Sequence, residues 1–233
     1  MKKHMGLGGY RMVDLTHSID PFMPSWSDTS RFSFEVETDY EEGCRTLNYS
    51  CAAGLGTHVD APAHFFRDGK MIAELALEEL IVPLCVINVS AQRSPDLFIQ
   101  PKDIVQFEEK WGEIERGSFA CGYTGWDSYW NETERYRNVD GKGKMRFPGF
   151  SKEAAELLLA RGVMGIGIDT LSPDGGNEKF PVHEAVLGAG KIIVENLARL
   201  AEIPAKGAII GMFPMKVGVG TEAPARCVAF IPK

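Results

Sequence analysis

Residues 84–89, 164–168, 208–212 and 227–231 are apolar at consecutive positions rather than alternate ones. Short runs of this kind read as strands buried on both faces, so the chain must cover a sheet from two sides. Two earlier stretches behave differently. Phe32, Phe34 and Val36 alternate with Ser33, Glu35 and Glu37, and Leu47, Tyr49 and Cys51 repeat that period. Both read as half-buried strands. Helices are fewer. Residues 151–162 carry Ser151 as N-cap, Glu153 in the first turn and Gly162 just past the end. Residues 103–111 repeat Ile104, Phe107 and Trp111 on one side, the pattern of an amphipathic helix. Residues 183–187 read as a short helix that Gly188 and Gly190 stop. The chain is therefore α/β and dominated by strands, with its topology open at this level.

No repeat or change in composition divides the 233 residues, which are read as one domain, 12–233, behind a leader of residues 1–11 that contains His4. The leader's basic start lacks the apolar stretch of a signal peptide. A net charge of −7 argues against binding to nucleic acid. No apolar run is long enough to span a bilayer. Five cysteines without a Cys-x-x-Cys pair suggest reduced thiols in a cytoplasmic protein, not a disulfide frame or thiolate zinc site. A Gly-x-Ser-x-Gly elbow is missing, and Gly165 and Gly167 lie in a strand without the remainder of a dinucleotide fingerprint.

The chemistry concentrates in one stretch, Gly54-Leu-Gly-Thr-His58-Val-Asp60-Ala-Pro-Ala-His64-Phe65. Two of five histidines and a carboxylate fall within seven residues. Imidazole and carboxylate suit zinc, manganese or iron. His58 and Asp60, two apart, share a face if the segment is extended. Pro62 prevents this segment continuing as a helix and holds the backbone extended or turned, so His64 can return to the same cavity from a different angle. A capped polar loop is the plainer reading, but three ligand-type residues around a proline favour a metal or catalytic role. Two ligands hold a metal poorly, so others must come from elsewhere. His183 and Glu195 are candidates, because a glutamate in the apolar run 192–197 is costly unless paired or bound to metal. His17 suits a turn at least as well as a site.

The stretch 56–65 resembles the signature of the cyclase family of metal-dependent hydrolases, which includes kynurenine formamidase and isatin hydrolase. The likeness continues through Asp14-Leu-Thr-His-Ser-Ile19, Met23-Pro-Ser-Trp26, Thr124-Gly-Trp126, residues 167–174, Phe180-Pro-Val-His183, Val194-Glu195-Asn-Leu and residues 220–226. It implies a single-domain, strand-rich swivelling β/β/α fold, a homo-oligomer (dimer or tetramer) and hydrolysis of an amide, formamide or lactone. It further implies metal ligation by His58, Asp60, His183 and Glu195, with His64 as general acid/base. Phe22, Trp26, Phe65 and Trp126 are expected to wall a pocket for a small aromatic substrate, although Phe65 and Phe66 suit core packing as well. Glu184 is a candidate to orient the ligands.

One position departs from the family pattern. A histidine normally leads the motif, and here Gly54 stands in its place. Zinc or manganese at one ion per chain is thus favoured over two, with any second site weak or completed by His17 or Cys51. Loss of catalysis, leaving a module that binds metal or ligand, stays open as the alternative, as does lactone hydrolysis.

Overall fold

The computed structural model describes residues 7–27, 32–92 and 94–233. The leader's first six residues, His4 among them, lie outside the described residues. Strand β1 is Tyr10–Asp14, beginning two residues before the expected domain start. Next come β2 (Ser33–Thr38), β3 (Thr46–Ser50) and β4 (His58–Asp60), then the short helix α1 (Leu77–Leu80) and β5 (Ile81–Asn88). They are followed by β6 (Phe98–Ile99), α2 (Pro101–Trp111), β7 (Phe119–Tyr123), α3 (Thr133–Arg137), β8 (Gly149–Phe150) and α4 (Lys152–Ala160). The chain ends with β9 (Gly165–Ile168), α5 (Pro181–Gly188), β10 (Ile192–Glu195), β11 (Ala208–Pro214) and β12 (Glu222–Pro232). Among the described residues, no helix is long and apolar enough to cross a membrane.

Eight strands form the main sheet, in the order β1-β12-β11-β5-β7-β9-β10-β4. A further pairing of β12 with β4 closes it. The central strands β5, β7, β9 and β10 run parallel, joined through helices. Both faces are covered, as the consecutive apolar runs require. Val86, Cys121 and Val194 enter an inner core with Leu84, Phe119 and Ile210. Their chain neighbours Ile87, Ala120 and Ile193 point the other way, onto Ile104 and Phe107 of α2, Leu158 of α4 and Val186 of α5. All five cysteines are free thiols, three of them buried.

Local signals set the helix ends. Ser151 Oγ accepts from Ala154 N at 3.1 Å at the start of α4, and Gly162 beyond it has φ +78°. Asp103 accepts from Gln100 N at 2.7 Å at the start of α2. Two expectations need correction. Trp111, the last residue of α2, is 51% exposed, whereas Ile104 and Phe107 are buried. The alternating strands β2 and β3 pair with each other in a two-stranded sheet of their own, and nearly all their residues are exposed.

Candidate metal centre

Register in the sheet brings the donors together. In β4, Val59 points into the inner core while His58 and Asp60 face the opposite side, as strand alternation demands. On one flank, β10 sets Glu195 opposite His58. On the other, β12 sets Glu222 opposite Asp60. His183 comes from the first turn of α5. The four side chains His58, Asp60, His183 and Glu195 are buried.

Their atoms form a ring. His58 Nε2 lies 3.4 Å from Asp60 Oδ1 and 3.4 Å from Glu195 Oε2. His183 Nε2 lies 3.5 Å from Asp60 Oδ2 and 3.3 Å from Glu195 Oε1. Metal bonds of about 2.0–2.2 Å leave tetrahedral donors about 3.4 Å apart, as these neighbouring pairs are, and Asp60, His183 and Glu195 form one group with donor atoms all within 4.8 Å of one another. A more telling sign is that neither oxygen of Asp60, 1% exposed, has a hydrogen-bond partner. An unsatisfied buried carboxylate is costly unless a cation completes it. The donor set therefore fits a divalent metal.

Each imidazole is held so that Nε2 faces the ring. His58 Nδ1 donates to the carbonyl of Gly56 at 2.8 Å. That carbonyl also accepts from Asn196 Nδ2 at 2.9 Å. Gly56 has φ +65°, a turn that most other side chains would strain. His183 Nδ1 donates to Asp174 at 2.6 Å, and the same carboxylate accepts from the Val182 and His183 amides at the start of α5. Asp174 thus caps the helix and orients its histidine. Asp174→Ala will weaken metal binding about 10–100-fold, as competition with a chelator would report.

Electrostatics follow from this crowding. Burial opposes charge on His58, but the Asp60 and Glu195 carboxylates outweigh it and raise its pKa to about 10. Burial is likewise overcome at His183, which Asp174, Asp60 and Glu195 hold well above its ordinary value. Burial pushes Glu195 up to about 7 despite His183. Asp60 is held below the usual carboxylate range because the two histidines outweigh its burial. Metal requires neutral imidazole, so an entering cation displaces protons and binds more tightly as pH rises.

The ring opens into a cavity of about 410 Å³. Trp26 and Phe65 line it as expected, joined by Phe180, which the sequence reading did not single out. Phe180 lies 5.7 Å from Trp26 and 5.8 Å from Phe65 between ring centroids. Phe65 also stacks on His183 at 5.0 Å. Phe22 and Trp126, expected on this wall, are elsewhere. Phe22 is 85% exposed. Trp126 is buried in a separate cluster, its indole donating to the Tyr136 carbonyl. Phe66 packs near Gly188, also away from the cavity.

His64 ends the short turn Pro62–His64 and lies at the cavity edge, its side chain 29% exposed. Its ring is 6.2 Å from that of His183, and its Nε2 is 3.7 Å from Glu222 Oε2. Glu184 faces solvent, and Asp174 takes the orienting role expected of it. Only the position of Asp174, shortly before a helix that carries a histidine, could have drawn attention to it in sequence. His17 is stacked on Trp130 with centroids 4.0 Å apart, and burial lowers its pKa to about 4. Cys51 is exposed. Neither joins the groups of donors, whereas Glu222 forms one with His58 and Asp60.

Residues 13–175 match the Cyclase family, described as "Putative cyclase". Isatin hydrolase of Roseibium aggregatum is 32% identical over 190 residues, covering 76% of this chain and 72% of the relative. Kynurenine formamidase of Bacillus cytotoxicus is 26% identical over 188 residues, covering 79% and 81%. Among solved structures, isatin hydrolase A from Ralstonia solanacearum superposes with TM-score 0.90 at 28% identity, covering 96% and 93%. An isatin hydrolase bound to the product analogue thioisatinate gives 0.92 at 27%, covering 97% and 94%.

Proposed function

The chain belongs to the Cyclase family and is an amide-hydrolysing enzyme, and from that premise we propose that it cleaves an aryl amide, cyclic as in isatin or open as in an aryl formamide. The reading uses one divalent ion per chain, zinc or manganese, at the cluster of His58, Asp60, His183 and Glu195, in which Asp60, His183 and Glu195 form a close three-donor group. Both metals suit imidazole and carboxylate donors. The observation that carries it is the buried Asp60 carboxylate, without a hydrogen-bond partner and flanked by two histidine Nε2 atoms beneath an aromatic cavity.

A bound divalent ion supplies a water acidified from 15.7 towards about 7 and polarises the substrate carbonyl. The chain's own side chains do the rest. Trp26, Phe65 and Phe180 hold a flat ring against the cavity wall. His64 takes a proton at Nε2 as water oxygen bonds to the carbonyl carbon, then returns it to the nitrogen when the C–N bond breaks. Histidine suits that exchange because its ordinary pKa lies near neutrality. Asp174 and the Gly56 carbonyl keep the two other imidazoles facing inwards. The donors and His64 around one cavity support catalysis over the non-catalytic alternative raised by Gly54.

A small aromatic molecule is the partner this cavity suits, and a second copy of the chain is another. Phe34, Val36 and Tyr49 on the β2–β3 hairpin are 47%, 45% and 67% exposed, an apolar face that a homo-oligomer would cover. Light scattering reads that assembly. The free thiols suit a cytoplasmic setting. The decisive test removes metal with a chelator and follows hydrolysis of isatin and of an N-formyl arylamine. Turnover is expected to vanish and to return with added Zn²⁺ or Mn²⁺; undiminished turnover in the metal-free protein would refute the reading.

A further inference from the structure

Gly54 occupies the place of the family's leading histidine, and the structure has filled the space that a side chain there would take. A Cβ built on Gly54 would run into the Glu222 carboxylate, with Glu222 Cδ 2.9 Å away and Oε1 at 3.2 Å. Glu222 comes from the start of β12, where it pairs across from Asp60. Ala223 beside it is buried in the inner core, so Glu222 projects to the metal side of the sheet. A carboxylate oxygen of Glu222, His58 Nε2 or Nδ1 and an Asp60 oxygen all lie within 4.8 Å of one another. His58 Nδ1 is spent on the Gly56 carbonyl, which leaves Nε2 as its donor. Asp60, the residue these two share, is the buried carboxylate without a hydrogen-bond partner.

We propose that Glu222 supplies the metal ligand that position 54 lacks, so that His58, Asp60 and Glu222 form a three-donor face of the metal centre. The inference rests on the metal reading above and extends it to a residue from the far end of the chain. Glycine at 54 and glutamate at 222 are one paired solution, because the space admits either a long side chain at 54 or this carboxylate. The exchange replaces a neutral nitrogen donor by an anionic oxygen, a harder donor better matched to manganese or magnesium-like ions than histidine is. A competing role for Glu222 is to hold His64, but their 3.7 Å separation exceeds a hydrogen bond.

The experiment measures binding of Zn²⁺ and of Mn²⁺, each alone, by chelator competition and elemental analysis, in the full chain and three variants. Glu222→Ala is expected to lose about 10²-fold or more in affinity, beyond the range typical of residues that merely support a ligand. Gly54→His alone, with Glu222 still in the way, is expected to gain nothing. Gly54→His/Glu222→Ala is expected to regain most of the lost affinity, an outcome that a folding defect in Glu222→Ala could not produce. Unchanged affinity in Glu222→Ala, with or without an altered pH profile of turnover, overturns the proposal while leaving the metal reading intact. Failure of the unaltered chain to bind either ion overturns both.

Discussion

Replacing Asp60 by alanine will empty the metal centre and lower turnover by at least about 10³-fold, since metal assistance is worth several kcal/mol and each 1.4 kcal/mol is tenfold. Asp60 is the donor most shared in the site. One oxygen faces His58, the other faces His183, and Glu222 lies across the strand pair. Its loss therefore removes an anionic ligand from every arrangement these side chains offer. Elemental analysis should find little metal in the purified variant, and added Zn²⁺ or Mn²⁺ should restore little. The metal-free variant should still fold, because alanine fits a strand position and removes a buried charge that lacks hydrogen bonds. Near-normal metal content or turnover in this variant would remove the basis for the centre.

His64→Ala will show the opposite separation, with metal retained and kcat lowered about 10²–10⁴-fold, the usual span for a lost general acid/base. His64 stands at the cavity edge with its ring 6.2 Å from His183, outside the ring of buried donors. Its proton can therefore exchange with solvent between turnovers. The variant's metal content should equal that of the unaltered chain. Loss of metal together with activity would reassign His64 as a ligand. Full turnover would place the proton transfer on another group.

Much of this arrangement was legible from residue order, and the reasons are local. Consecutive apolar positions in residues 84–89 and 164–168 announced strands covered on both faces, which the inner core and the helical layer confirm. Ser151 and Gly162 marked the ends of α4 because capping depends on neighbours in sequence. Alternation in β2 and β3 marks them as strands as well. What alternation could not reveal is how much of the apolar side is covered, and here most of it stays exposed apart from the contact of Phe32 with Phe34 and Tyr49. The same limit explains Phe22 and Trp126, which lie near the motifs in sequence yet face solvent and a separate core. Asp174 and Glu222 escaped notice because acidic residues are ordinary on surfaces. Their significance comes only from what they face.

The sequence by itself determined that His58 and Asp60 share one face once the segment is extended, as it is in β4. It also determined, through Pro62, that His64 leaves the line of the strand. Tertiary structure decided the rest. Glu195 and Glu222 reach Asp60 only because β10 and β12 flank β4 in a particular register. A slip of one residue in either pairing would turn the carboxylate into the apolar core, where Val194 and Ala223 now lie. Local order can state which way a side chain points along its own strand. Which strand lies beside it is settled by burying the whole sheet at once.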